Sequence, residues 1–178
     1  PFVSALPPWS WDTIQSYIHC ANYSGAWNEG ALERLNTASF VVFEKAHGSL
    51  AEPLFDRAEE KIVDACRQVK ETAKRRQTST DCYMYAEVDW ARTFYSLGRV
   101  VERDLDSLAM HWPNQSLLEN VAPLKLPNDE SVNGTTTWNF TWHAYDFRDE
   151  RMRSLWTSRV VDSIDSGVVD GAFLDGNR

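Results

Sequence analysis

Apolar and polar positions alternate between two periods along this chain. Ser39–Lys45 carries the unbroken run Phe40-Val41-Val42-Phe43, which fits a parallel strand covered on both faces. From Phe55 to Arg76 the apolar positions Phe55, Ala58, Ile62, Ala65, Cys66 and Val69 follow helical spacing, and basic residues close the segment, as suits a helix C-terminus. Asp81–Trp90 reads as the next strand. Strand, helix, strand in that order is a βαβ unit, which implies a right-handed crossover and a parallel sheet.

The same pattern extends in both directions. Thr13–Cys20 is a plausible first strand after a proline-broken lead-in containing Pro1, Pro7, Pro8, Trp9 and Trp11. A turn-rich segment follows, and Ala31–Asn36 is at most a short helix. Ala91–Met110 has Phe94, Leu97, Val100, Val101, Leu105 and Leu108 on one side and reads as one helix. His111–Thr137 holds three prolines and no sustained period, so a surface insertion is expected there. Trp138–Tyr145 alternates like an exposed strand or hairpin arm. Asp146, Arg148 and Asp149 then announce a helix with Met152, Leu155, Trp156, Val160 and Ile164 as its apolar stripe, ended by Gly167. Ala172-Phe173-Leu174, set between two Asp-Gly steps, predicts a short buried closing strand that emerges at Asp175.

Composition narrows the function classes. The 178 residues suit a single domain, and a net charge of -8 argues against nucleic acid as a partner. No apolar run approaches the roughly 18 residues of a membrane span. The chain begins Pro1-Phe2-Val3, without Met or signal peptide, so a processed or truncated protein is expected. Four Asn-X-Ser/Thr sequons, at Asn22, Asn114, Asn133 and Asn139, exceed the match or so that nine asparagines would give by chance, which favours a secreted glycoprotein. Cys20, Cys66 and Cys82 have no metal-ligand spacing. One disulfide plus a buried thiol is the simplest account, with three free thiols as the alternative.

Three predicted strand ends carry carboxylates: Glu44, then Glu87 with Asp89, then Asp175. Neighbouring parallel strands would set them on one face, and paired carboxylates are what glycoside hydrolysis needs, one as acid and one as nucleophile or base. Among eight tryptophans, Trp90 beside Asp89 is the best candidate to stack on a sugar ring, and helical spacing assigns Trp156 to the core. Lys45, His47, Tyr85 and Asn177 lie close to these ends and complete the candidate substrate-binding set. His19, His47, His111 and His143 form no metal motif, and neither a phosphate-binding glycine fingerprint nor a nucleophile elbow is present, so no metal site or cofactor is assigned.

The segments Phe40-Val41-Val42-Phe43-Glu44-Lys45-Ala46-His47-Gly48, Tyr145-Asp146-Phe147-Arg148-Asp149 and Val169-Asp170-Gly171-Ala172-Phe173-Leu174-Asp175-Gly176-Asn177 resemble signature segments of TIM-barrel glycoside hydrolases known mainly from genome sequences. The resemblance spans most of the chain from about Ile14 onward. It implies an α/β fold, a partial (β/α)8 TIM barrel of about four parallel strands with covering helices, in which residues 1–178 form one domain and 91–145 an enlarged loop over the active-site face. It also implies that Asp175 ends the fourth strand and is catalytic, partnered by Glu87 or Asp89, with Glu44 and His47 positioning a carbohydrate substrate. A whole barrel needs about 250 residues, so a further chain segment or another subunit is expected to complete the sheet. Two other readings stay open: a non-catalytic glycan-binding or structural component of an extracellular assembly, and a small α/β domain unrelated to carbohydrate.

Overall fold

A computed structural model describes residues 14–49, 57–92, 95–111, 114–117, 119–125 and 137–176. The elements in chain order are β1 (Tyr17–Cys20), α1 (Glu29–Leu35), β2 (Phe40–Phe43), α2 (Ala58–Arg76), β3 (Asp81–Glu87), β4 (Trp90–Arg92), α3 (Ser96–Glu102), α4 (Leu105–Leu108), β5 (Glu119–Lys125), β6 (Thr137–Ala144), α5 (Glu150–Asp165) and β7 (Gly171–Asp175). The protein is a mixed α/β structure. Four strands form a parallel sheet in the order β1-β2-β3-β7, and β4-β6-β5 form a separate antiparallel sheet.

Side-chain alternation gives the parallel sheet two different faces. Val41, Phe43, Cys82 and Met84 point toward α1 and α2, where Leu32, Leu35, Ile62, Ala65, Cys66 and Val69 close over them. α2 is the amphipathic helix read from the sequence. It ends where Gln77 takes a left-handed conformation (φ 57°), with its N–H returned to Ala73 and Lys74 carbonyls. The opposite face carries two groups of rings in contact, Tyr17, Phe40 and Tyr83 (Tyr17–Phe40 5.4 Å) and, nearer the carboxyl end, His19, Tyr85 and Phe173 (Tyr85–Phe173 5.9 Å). At the amino end of β7, Asp170 Oδ2 accepts from Cys82 N (2.7 Å) and Oδ1 pairs with Lys70 (2.6 Å), fixing the strand to β3 and to α2.

The segment between β3 and α5 is more structured than its sequence predicts. Instead of one helix over 91–110, residues 90–92 pair with β6, and two short helices follow, separated at Arg103 and Asp104. Ala91 and Arg92 are good helix formers by themselves, and it is β6 that supplies the pairing partner that local periodicity cannot show. The expected structureless insertion contains β5, whose Pro123 faces Asn139; a proline is tolerated there because β5 is an edge strand. Ala91, Leu97, Val101, Leu108, Ala109, Tyr145 and Met152 give this region a second small core, shared with α5. α5 starts at the expected place, with Asp149 Oδ1 accepting from Arg151 N (2.7 Å) and Met152 N (3.2 Å).

Two more expectations are corrected. The closing strand is not buried: Phe173 and Leu174 are 44% and 53% exposed, because β7 is the last strand of its sheet and no described residue pairs with its outer edge. No disulfide forms, and Cys20, Cys66 and Cys82 are all free thiols. Cys66 and Cys82 sit in the apolar layer between α2 and β3, where burial pushes the Cys66 thiol well up. Burial, reinforced by Cys82, pushes Cys20 up to about 11.

Candidate functional site

All four parallel strands end on the same side, and the chemistry collects there. β3 and β7 are paired so that Tyr85 lies beside Phe173 and Glu87 beside Asp175. Residues matched in a parallel pair point to the same face, so Tyr85, Glu87, Phe173 and Asp175 share the face opposite α2. β2 ends three residues lower, with Phe43 level with Met84, and Glu44 N continues the ladder to Cys20 O (2.9 Å), which carries Glu44 and Lys45 toward the same rim.

A chain of polar contacts crosses three strands at this rim. Lys45 Nζ lies 2.6 Å from Glu44 Oε1, donates to the Tyr85 hydroxyl at 3.2 Å, and stands 4.4 Å from the centre of the Tyr85 ring. The Tyr85 hydroxyl in turn donates to Asp175 Oδ2. Tyr85 is 2% exposed whereas Asp175 is exposed, so a buried phenol supports a carboxylate open to solvent. Burial, the bond to Asp175 and the negative charges of Glu87, Asp175 and Glu44 hold the Tyr85 hydroxyl far above its usual range, and it acts as a neutral donor. Glu87 is buried, and its backbone carbonyl accepts from Trp156 Nε1 (2.8 Å), anchoring the end of β3 to α5.

The other expected residues are placed differently. Asp89 does not end β3; it lies in the turn between β3 and β4, and its carboxylate packs against Gly176, where a Cβ would strike it. Its Oδ1 has no hydrogen-bond partner among the described residues. Trp90 belongs to β4, paired with Ala144. His47 is fully buried, stacked on Trp27 (5.5 Å, 9°), with Nδ1 accepting from Asn22 N (3.1 Å). Burial and the nearby Lys61 ammonium push its imidazole down to about 4, so it braces the β1 and β2 loops as a neutral ring. Asn177 lies outside the described residues.

Of the sequons, Asn22 spends its side chain in its own loop: Oδ1 accepts from Ser24 N and Oγ, and Nδ2 donates to Ala26 O (2.5 Å). Asn114 is exposed, with Oδ1 accepting from Ser116 Oγ (2.7 Å). Asn139 lies on β6, and Asn133 is outside the described residues.

Sequence reasoning missed His19 and Phe173 as neighbours of the carboxylates. His19 is exposed, stacks on Tyr85 (6.1 Å) and meets Phe173 at a tilt (5.5 Å, 55°). The available signal was two-residue alternation, since Tyr17 and His19, Tyr83 and Tyr85, and Phe173 and Asp175 each stand two apart on one strand.

The arrangement offers two carboxyl groups on adjacent strands, an ammonium held against one side, and partly exposed rings beside them. Among the described residues, no group of three or more His, Cys, Asp and Glu side chains is placed to hold a metal ion, and no helix is long and apolar enough to cross a membrane. A hollow of ≈ 30 Å³ behind β3, lined by Glu59, Ala86, Tyr95 and Trp156, has room for about one water rather than a sugar ring. Comparison of the chain with protein-family models and with curated proteins returned no match.

Proposed function

We propose that the chain is part of a (β/α)8 barrel related to glycoside hydrolases, and that it acts on extracellular polysaccharide as a secreted glycoprotein. The observation that carries this reading is the side-by-side register of Glu87 and Asp175 at the carboxyl end of a parallel sheet, with Tyr85 donating to Asp175. Carboxyl ends of parallel strands are where barrel enzymes hold their catalytic groups, and two flanking carboxyl groups are the working parts of glycoside hydrolysis. In this reading Asp175 and Glu87 act on the glycosidic bond, Glu44 and Lys45 shape the charge around them, and His19 and Phe173 offer rings to the apolar face of a pyranose. The β4-β6-β5 sheet leaves from the end of β3 and corresponds to an enlarged loop on the site's side. The test is hydrolysis of a panel of plant, fungal and animal polysaccharides by the intact protein and by its Asp175→Asn variant. Loss of product with the variant supports the assignment, and equal rates remove Asp175 from the chemistry.

A second reading rests on a different observation. Tyr17 is 62% exposed on β1 and Phe173 44% on β7, and among the described residues neither strand has a partner on its outer side. Open edges with exposed rings suit a non-catalytic glycan-binding or structural subunit completed by another segment or chain. Glycan-array binding without release of product from the bound sugars would favour it over catalysis.

A further inference from the structure

Asp89 stands two residues beyond Glu87, in the turn that joins β3 to β4, and its carboxylate lies against the backbone of the neighbouring strand end. Gly176, the residue after Asp175, has φ 89°, and a Cβ on it would collide with Asp89 Oδ1, Cγ and Oδ2 alike. The whole carboxylate, not one corner of it, is therefore pressed against the glycine. Asp89 is held firmly from both sides. Val88 N donates to Asp175 O (2.8 Å), Asp89 O accepts from Tyr145 N (3.1 Å), and Trp90 opens β4 opposite Ala144. β7, in contrast, has no described partner on its outer edge, and its last residue, Asp175, is exposed. In this contact Asp89 is the fixed wall and the end of β7 is the part that it steadies. Asp89 Oδ1 is buried and has no hydrogen-bond partner among the described residues, so that atom faces no solvent from which to exchange a proton.

We propose that Asp89 is a positioning residue rather than an acid or base: with Gly176 it forms a clasp that fixes the turn after β7 and keeps Asp175 where the Tyr85 hydroxyl donates to it. The inference rests on the reading above in which Asp175 is the acting carboxylate. Position 176 needs glycine for two separate reasons, the left-handed φ and the seat that the Asp89 carboxylate occupies. The clasp works by shape, so a side chain of the same outline can replace Asp89 and a shorter one cannot. Its effect reaches Asp175 through the Tyr85 bond, because a donor held on a carboxylate oxygen favours the ionised form and pins the group's orientation.

The experiment compares Asp89→Asn, which keeps the outline and removes the charge, with Asp89→Ala and the milder Asp89→Ser, which remove the wall. The intact protein is made with carbon-13-labelled aspartate, and the Asp175 carboxyl signal, identified by its loss in Asp175→Asn, is titrated by NMR. Since none of the three variants carries a charge at position 89, they differ only in shape. Asp175 is expected to titrate at higher pH in Asp89→Ala and Asp89→Ser than in Asp89→Asn, because only the first two let the Tyr85 donor slip. Adding Tyr85→Phe to each variant is expected to abolish that difference. Equal titration in the three variants overturns the clasp, and so does a difference that survives Tyr85→Phe. On a polysaccharide that the unmodified protein hydrolyses, Asp89→Ala is expected to lower kcat on the order of 10²-fold with little change in KM, and Asp89→Asn to retain most of the rate. A loss as large in Asp89→Asn as in Asp89→Ala makes Asp89 an acid or base and overturns the assignment. If the unmodified protein turns over no polysaccharide, the hydrolase reading fails, and the titration still decides whether the clasp exists.

Discussion

Nδ1 of His47 accepts a hydrogen bond from the backbone N–H of Asn22 at 3.1 Å, joining the loop after β1 to the loop after β2. This bond requires the neutral ring, because a protonated imidazole has no acceptor to offer. The same two loops meet again where Asn22 O accepts from both Gly25 N and Gly48 N, each at 2.9 Å. His47 therefore serves the site indirectly, by fixing the segment that delivers Glu44 and Lys45.

Acid should loosen this joint. The imidazole sits at about 4 in the folded protein against an ordinary 6.5, so between those values the unfolded chain binds the proton that the folded chain excludes. Stability from the neutral ring is complete above about pH 6.5 and is lost as pH falls toward 4. The gap corresponds to about 3 kcal/mol at most. Urea denaturation at pH 7, 6 and 5 checks this by comparison with His47→Gln, which keeps a neutral acceptor. The unmodified protein should lose more stability over that range than the variant, and parallel curves would disprove the assignment.

Glu59 responds with the opposite sign. It is 5% exposed in the first turn of α2 and accepts from the backbone N–H (3.2 Å) and hydroxyl of Ser96, so it caps α3 from another helix, with Arg159 Nε at 3.8 Å. Burial raises its carboxyl above the usual value, an effect that Ser96 and Arg159 only partly offset. Its folded-state contribution is greatest below the unfolded value and falls as pH rises through the folded one. Glu59→Gln, which retains an acceptor without the charge, should therefore match or exceed the unmodified protein at pH 7. Glu59→Ala should lose about 1–3 kcal/mol through the orphaned Ser96 N–H. Thermal melts of both variants at pH 7 separate charge from capping.

Much of the parallel sheet was legible because its strands announce themselves locally. Phe40–Phe43 and Asp81–Glu87 are apolar-rich runs flanking a helix-period segment, and parallel pairing follows from that order. The second sheet was not legible, since pairing of Trp90–Arg92 with Trp142–Ala144 depends on residues some fifty positions apart that carry no shared local signal. The site divides in the same way. Placing Glu44, Glu87 and Asp175 at strand ends needed only element boundaries. The Lys45–Tyr85–Asp175 chain depends on the register of three strands, as does the distinction between His19, which reaches the site face, and His47, which turns into the core. One residue of offset would reverse a side chain's face, and sequence spacing does not resolve that offset.

The approach of the two loops around His47 also depends on glycine. Gly48 has φ 71°, and a Cβ there would run into the side chain of Lys61; Gly25, at φ 72°, would bring a Cβ within 3.2 Å of Gly48 Cα. Gly48→Ala combines left-handed strain with a steric clash, so a loss of about 2–4 kcal/mol is expected. Because the loop carries Lys45, the variant should also disturb the Lys45–Tyr85 contact, visible as a change in near-ultraviolet tyrosine circular dichroism under conditions where the protein remains folded.

Glycan occupancy tests the secreted assignment independently of catalysis. Asn22 and Asn114 both accept from the hydroxyl two residues on, but Asn22 Nδ2, the atom a glycan would be attached to, is already committed to Ala26 O at 2.5 Å in a half-buried loop. Asn114 lies on an exposed turn, and its only hydrogen bonds among those described are through Oδ1. On expression through a eukaryotic secretory pathway, Asn114 should carry glycan at high occupancy and Asn22 at low occupancy, and enzymatic deglycosylation with peptide mass mapping reads both sites directly. Asn114→Gln should remove one glycan without loss of stability, whereas Asn22→Gln should lower the unfolding midpoint, because its side chain shapes the loop that receives His47. A fully secreted protein with no glycan at Asn114 would count against the reading of these sequons as modification sites.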